Sequence, residues 1–165
     1  MSQTLELYHF TTHHYLASIF KHGICRGKTQ VTWKQTVDSV WLTADNDPNR
    51  QTWDEGCERL MTPHERQVMM AMDRIFISED ARWPNKREVR LTVHVPTNDP
   101  RLVPYIDFAR HNVKRGVDRA IRKAAPGCDA RDWHLFFGIV PPQWIAAVHQ
   151  YTNSAMNIGK AANDN

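Results

Sequence analysis

Leu5-Glu6-Leu7-Tyr8-His9-Phe10 is the stretch on which the reading of the fold turns. Its strict alternation predicts a strand with Leu5, Leu7 and His9 on one face and Glu6, Tyr8 and Phe10 on the other. An imidazole beside two leucines must find a hydrogen-bond partner or serve a ligand, because burying it unpaired costs about 1–3 kcal/mol. A satisfied core histidine and a ligand-binding histidine are both open readings. Thr11 and Thr12 follow at once. From Thr12 to His22 the apolar residues Leu16, Ile19 and Phe20 recur at helical spacing, and Gly23 stands where such a helix ends.

Outward from this strand and helix, the same patterns recur. Thr29 to Asp38 reads as a polar connection containing Trp33, and Ser39-Val40-Trp41-Leu42-Thr43 reads as a second strand with Ser39, Trp41 and Thr43 on one face. Ala44 to Gly56 and Ser78 to Arg87 carry loop chemistry. Between them Thr62-Pro63-His64-Glu65 is a capping box opening a helix to about Arg74, with Val68, Met69, Met72, Ile75 and Phe76 as its apolar stripe. Glu88 to Val95 alternates cleanly, placing Val89, Leu91, Val93 and Val95 against Arg90, Thr92 and His94, so it predicts a half-buried strand ended by Pro96. Val103-Pro104-Tyr105 fits an edge strand, and residues 113–124 fit a helix with a basic outer face. Asp132 to Val140 forms a third short strand segment, and Trp144 to Val148 packs as a last strand or a short helix.

A chain of 165 residues fits one domain with a core of its own, here expected over 1–151, with a disordered tail at 152–165. Apolar content of 41% and charged content of 24% are those of a soluble globular protein, and no apolar run reaches the length of a membrane span. Met1-Ser2-Gln3-Thr4 begins no secretory signal, so a cytoplasmic location is expected. Three cysteines, Cys25, Cys57 and Cys128, show no CxxC spacing and argue against a disulfide framework or a zinc knuckle. A net charge of +3 permits an anionic partner without requiring one.

Taken in order, His9-Phe10-Thr11 on the first strand, Trp41 and Thr43 on the second, and the acidic opening of the segment at Asp132 resemble the ADP-ribosyltransferase family. The resemblance implies an α+β fold with two small, twisted, mainly antiparallel sheets packed across a cleft and flanked by helices. It also implies NAD as substrate and ADP-ribose transfer to a macromolecular acceptor, protein or nucleic acid, as in small toxin-like or phage-conflict enzymes. Nicotinamide departure leaves an oxocarbenium-like ribose, which a carboxylate stabilises. On this resemblance His9 holds a ribose hydroxyl with Thr11 or Thr12 nearby, Trp41 stacks on nicotinamide and Thr43 contacts the neighbouring ribose. Apart from the resemblance, Arg90 on the polar side of its strand suits a pyrophosphate or carboxylate, as do Arg26 and Lys28. Asp132 takes the place of the family's usual glutamate, with His134 beside it to orient it or move a proton. Tryptophan at position 41 and aspartate at 132 both depart from the family's pattern. Trp41 as a core aromatic, and Asp132 as the end of a loop, remain the plainer readings.

Three rivals stand beside this one. An RNA 2′-phosphotransferase uses NAD on the same fold but needs a basic cluster for the RNA phosphate. Metal-dependent hydrolysis is prompted by nine histidines, yet His9 and His13 straddle a strand-to-helix junction, which spoils a helical ligand pair, so no metal is expected. A non-enzymatic module would bind nucleic acid or protein through basic, tryptophan-rich loops around Trp33, Trp53 and Trp83.

Overall fold

The computed structural model describes residues 3–25, 27–51, 58–73 and 76–151. Arg26, Trp53, Cys57, Ile75 and the 152–165 tail lie outside the described residues, as do the side chains of Val68 and Met72. The chain is α+β. Strand β1 (Thr4–Thr11) leads into helix α1 (His13–His22), followed by the hairpin β2 (Lys28–Thr32) and β3 (Gln35–Asp38), and then β4 (Val40–Thr43). Next come β5 (Arg59–Leu60), α2 (Pro63–Asp73), β6 (Arg82–Trp83), β7 (Val89–Pro96) and β8 (Leu102–Pro104). Helices α3 (Tyr105–Asn112) and α4 (Arg115–Ala124) precede β9 (Trp133–Phe136) and β10 (Ile145–Gln150). No helix among the described residues is long and apolar enough to cross a membrane.

Six strands form one antiparallel sheet in the order β10-β7-β1-β4-β9-β8, while β2–β3 and β5–β6 stand apart as two-stranded pairs. This corrects the expectation of two separate small sheets. The six strands are nonetheless unevenly joined. β1 runs beside β7 along its whole length, from Thr4 opposite Pro96 to Thr11 opposite Val89, but meets β4 at a single register pair, Tyr8 opposite Thr43. Two three-stranded halves therefore share a narrow seam.

Alternation sorts the side chains by face. Leu7 from β1, Val89, Leu91, Val93 and Val95 from β7, Val40 and Leu42 from β4, and Phe136 from β9 share one buried core, which Ile19 of α1 and Val140 complete. A second core lies on the opposite face of the β4–β9–β8 half, where Tyr105 and Ala109 of α3 pack on Trp133 and Leu135, with Trp41 at the margin. Glu6, His94 and His149 lie on the corresponding face of the other half, where all three are exposed.

Local chemistry explains the boundaries. Gly23 ends α1 at φ +84°, donating its N–H to Ile19 O (2.8 Å), and a Cβ there would fall 2.4 Å from the Val140 carbonyl, so only glycine fits. The capping box closes as expected: Glu65 N–H donates to Thr62 Oγ1 (3.2 Å) and Thr62 N–H donates to Glu65 Oε2 (2.8 Å). Phe76, expected on that helix's apolar stripe, instead lies beyond its end and is 87% exposed. The polar connection at 29–38 is in fact a hairpin, and Tyr105, read as part of an edge strand, begins α3.

Candidate functional site

The seam is where backbone pairing gives way to side chains. Past Tyr8 and Thr43, toward Thr11 and Val40, no register pair joins β1 to β4. There His9 Nδ1 donates to the Trp41 carbonyl oxygen (2.9 Å), supplying the hydrogen bond that a continued ladder would have made. Because a carbonyl only accepts, the proton sits on Nδ1 and leaves Nε2 as an acceptor, with no partner among the described residues. Burial holds the imidazole below its ordinary pKa, the Trp41 carbonyl opposes that shift, and the Lys86 charge adds to it. His9 is therefore a neutral acceptor at neutral pH. The core-histidine reading accounts for one ring nitrogen and leaves the other available.

Three residues further along β1, about 10 Å on an extended strand, the chain turns into α1. Thr12 occupies the N-cap position but makes no capping bond with its own side chain. Its hydroxyl donates instead to Glu88 Oε2 (2.7 Å), and the same oxygen accepts the His13 N–H (3.0 Å). Glu88 immediately precedes β7, whose pairing with β1 brings it alongside Thr12. The first turn of α1 has no acidic residue of its own, so this carboxylate also complements the positive end of the helix.

Glu88 and Thr12 line a cleft of about 510 Å³ together with His14, Tyr15, Glu58, Arg82, Pro84 and Asn85. That volume is in the range of small-molecule and cofactor sites. The cleft offers a guanidinium, an imidazole, hydroxyls and a fixed carboxylate. Helix α1, which forms one wall, packs through Ile19 on the sheet face that carries His9.

The remaining residues expected at a site fall elsewhere. Thr11 shares the face of His9 and is buried. Trp41 and Thr43 point to the opposite face, since Thr43 lies opposite Tyr8, and Val40 and Leu42 fill the His9 side. The Trp41 indole packs against Tyr105 (5.1 Å between ring centres) and Trp133 (5.8 Å) and donates Nε1–H to Lys28 O (3.2 Å). It is a core aromatic and does not wall the cleft. The Thr43 hydroxyl accepts the Asp45 N–H (3.1 Å) and shapes the following turn. Arg90, on the face of Trp41 and Thr43, donates Nη1–H to Asn46 O (2.8 Å) and lies over the Tyr8 ring at 5.1 Å, so it holds a loop and an aromatic.

Asp132 sits beyond the other end of β4, where its carbonyl accepts the Ala44 N–H (2.9 Å). His134 Nδ1 donates to that same main-chain carbonyl (3.1 Å) and not to the Asp132 carboxylate. Leu42, 2% exposed, stands between the His9 and His134 strands on their shared face. His9, Trp41 and Asp132 therefore do not converge, and the expected constellation is corrected on this point. Alternation within each strand was sound, but which faces coincide depends on the Tyr8–Thr43 register.

Glu88 is the functional candidate that the sequence reading passed over. Its only sequence signal is an acidic residue opening an apolar strand, which leaves the strand it will lie against undetermined. Among the described residues, no group of three or more His, Cys, Asp or Glu side chains is arranged to hold a metal ion. Comparison with protein-family models, curated proteins and solved structures gave no match to this chain.

Proposed function

We propose that the protein transfers ADP-ribose from NAD to a macromolecular acceptor, using the seam and the adjoining cleft as its site. The observation that carries this reading is the Glu88 carboxylate, fixed by the Thr12 hydroxyl and the His13 N–H in the wall of a polar cleft, where the His9 strand runs into α1. In this role Glu88 takes the part given to Asp132 by the resemblance, from the opening of β7 and not from the last strand segment.

Each group then has a physical task. Nicotinamide leaves with the electron pair of its bond to the ribose, and positive charge develops on the ribose ring. Glu88 faces that charge in a site whose hydrogen bonds hold the carboxylate in place before the reaction, so little reorganisation is needed. His9 Nε2 accepts a ribose hydroxyl, a role that the neutral Nδ1–H tautomer fits and an imidazolium would not. Arg82 lines the cleft and suits the pyrophosphate. The acceptor atom bonds to the ribose carbon and gives up its proton to Glu88 or to water.

The test is nicotinamide release from NAD by the full chain, with and without cell lysate as a source of acceptors. Glu88→Gln keeps an oxygen that can accept from Thr12 and His13 but removes the negative charge, and turnover is expected to fall about 10²- to 10³-fold. Asp132→Asn is expected to turn over at the rate of the unmodified chain. Full turnover in Glu88→Gln with loss in Asp132→Asn would return the role to Asp132, and an unmodified chain that releases no nicotinamide under either condition would sink the reading altogether.

A further inference from the structure

The tip of the β2–β3 hairpin carries a tryptophan in an unusual position. Trp33 is 64% exposed, although an indole gains more from burial than any aliphatic side chain. It does not hang free. Its ring edge lies over Gly116 in the first turn of α4, where a Cβ would meet Cζ2 at an ordinary 3.8 Å, and the Lys114 N–H donates to Val31 O (2.9 Å). Hairpin and helix are thus locked together with one indole surface turned outward.

Around that ring the charge is concentrated. Residues 114–124 hold five cations, Lys114, Arg115, Arg119, Arg122 and Lys123, against the single carboxylate of Asp118, a larger local excess than the +3 of the whole chain. Arg122 is held by Asp118 (2.9 Å). Lys114, Arg115, Arg119 and Lys123 are exposed and make no ion pair among the described residues, and the same is true of Lys34 beside Trp33. Arg115, Arg119 and Lys123 recur every four residues, about 6 Å apart along the helix axis, as one exposed stripe of α4.

We propose that this surface binds single-stranded nucleic acid, with a base stacked on Trp33 and the sugar-phosphate backbone running along the cations of α4. A flat exposed ring bordered by unpaired cations answers both halves of such a strand, its bases and its phosphates. A duplex keeps its bases stacked internally and has nothing to offer the indole. An acidic protein surface would meet the cations but would not explain an outward-facing ring. The hairpin base, where Ser39 N–H donates to Gly27 O (3.1 Å), leads directly into β4 at its parted edge with β1. A strand engaged at the tip is therefore about 15 Å, a few nucleotides, from the seam. Resting on the transferase reading, the inference is that this strand is the acceptor; the binding itself does not depend on that reading.

Fluorescence polarisation of labelled oligonucleotides of about 12 nucleotides, as single strands of DNA and of RNA and as a blunt duplex, tests the proposal on the full chain without NAD. Single strands are expected to bind better than duplex. Trp33→Ala should weaken single-strand binding about tenfold, with Trp33→Phe restoring most of it. The combined Arg115→Gln, Arg119→Gln and Lys123→Gln variant should lower the slope of log affinity against log salt by about 2. Thermal melts confirm that each variant is folded. Folded variants that bind as the unmodified chain does, a preference for duplex, or binding of poly-glutamate without binding of oligonucleotides would each overturn the proposal. Because the measurement contains no NAD, its failure leaves the nicotinamide-release result untouched, and the converse holds.

Discussion

The two edges of β1 are built on opposite principles. Toward β7 every residue from Thr4 to Thr11 has a partner across the ladder, and the inward residues Val89, Leu91, Val93 and Val95 are fully buried. Toward β4 the ladder amounts to one pair, and beyond it a carbonyl is satisfied by an imidazole in place of a backbone N–H. The closed edge supplies stability by excluding water from aliphatic side chains. The open edge forgoes that gain and leaves one histidine nitrogen without a partner among the described residues. Function is read most readily where a regular pattern stops and polar groups must be satisfied one by one.

The contrast can be broken from its strong side first. Leu91→Ala leaves a cavity in the closed half, and chemical denaturation should record a loss of about 2–5 kcal/mol. His9→Ala removes the side-chain donor that satisfies the Trp41 carbonyl across the seam, and the cost should be about 1–3 kcal/mol. A loss as large as that of Leu91→Ala would mean that the seam is as tightly built as the ladder. Glu88→Ala strips the N-terminus of α1 of its carboxylate and should cost about 1 kcal/mol, well below the effect expected of Glu88→Gln on turnover.

The smallest effect concerns pH. The folded His9 has a pKa below that of the unfolded chain, about 6.5, so between those two values the unfolded state binds more protons and stability falls with acidification. Melting temperatures taken downward from neutrality should therefore decline more steeply in the unmodified chain than in His9→Gln, which keeps a donor for Trp41 but does not titrate. Parallel pH curves for the two proteins would show that this imidazole is not held neutral by its surroundings.

Much of the architecture was legible because its signals are local. Alternation marked β1, β4, β7 and the start of β9, helical spacing marked α1 and α4, and Gly23 and the Thr62–Glu65 box marked boundaries. The β2–β3 hairpin escaped notice because Lys28, Thr29, Gln30, Thr32, Gln35 and Thr36 give it no apolar face to alternate against. Helix α3 was hidden by Pro104, which reads as the end of an element and in fact occupies the cap position before Tyr105. His9 was identifiable as a polar residue on an apolar face. Glu88 was not, since nothing in a single strand says which other strand it will lie against, and its bond to Thr12 spans 76 positions.

Helix α1 is fastened at both ends by distant chain. Its first turn is held by Glu88, and Ile24, just past Gly23, bridges to Val140 in both directions (3.0 and 3.1 Å). Synthesis delivers both anchors after the helix itself, so α1 leaves the ribosome before Glu88 and Val140 exist to secure it. Until they follow, Leu16 and Ile19 lack the anchored seat they have in the finished fold, and apolar surface left open in that way favours aggregation.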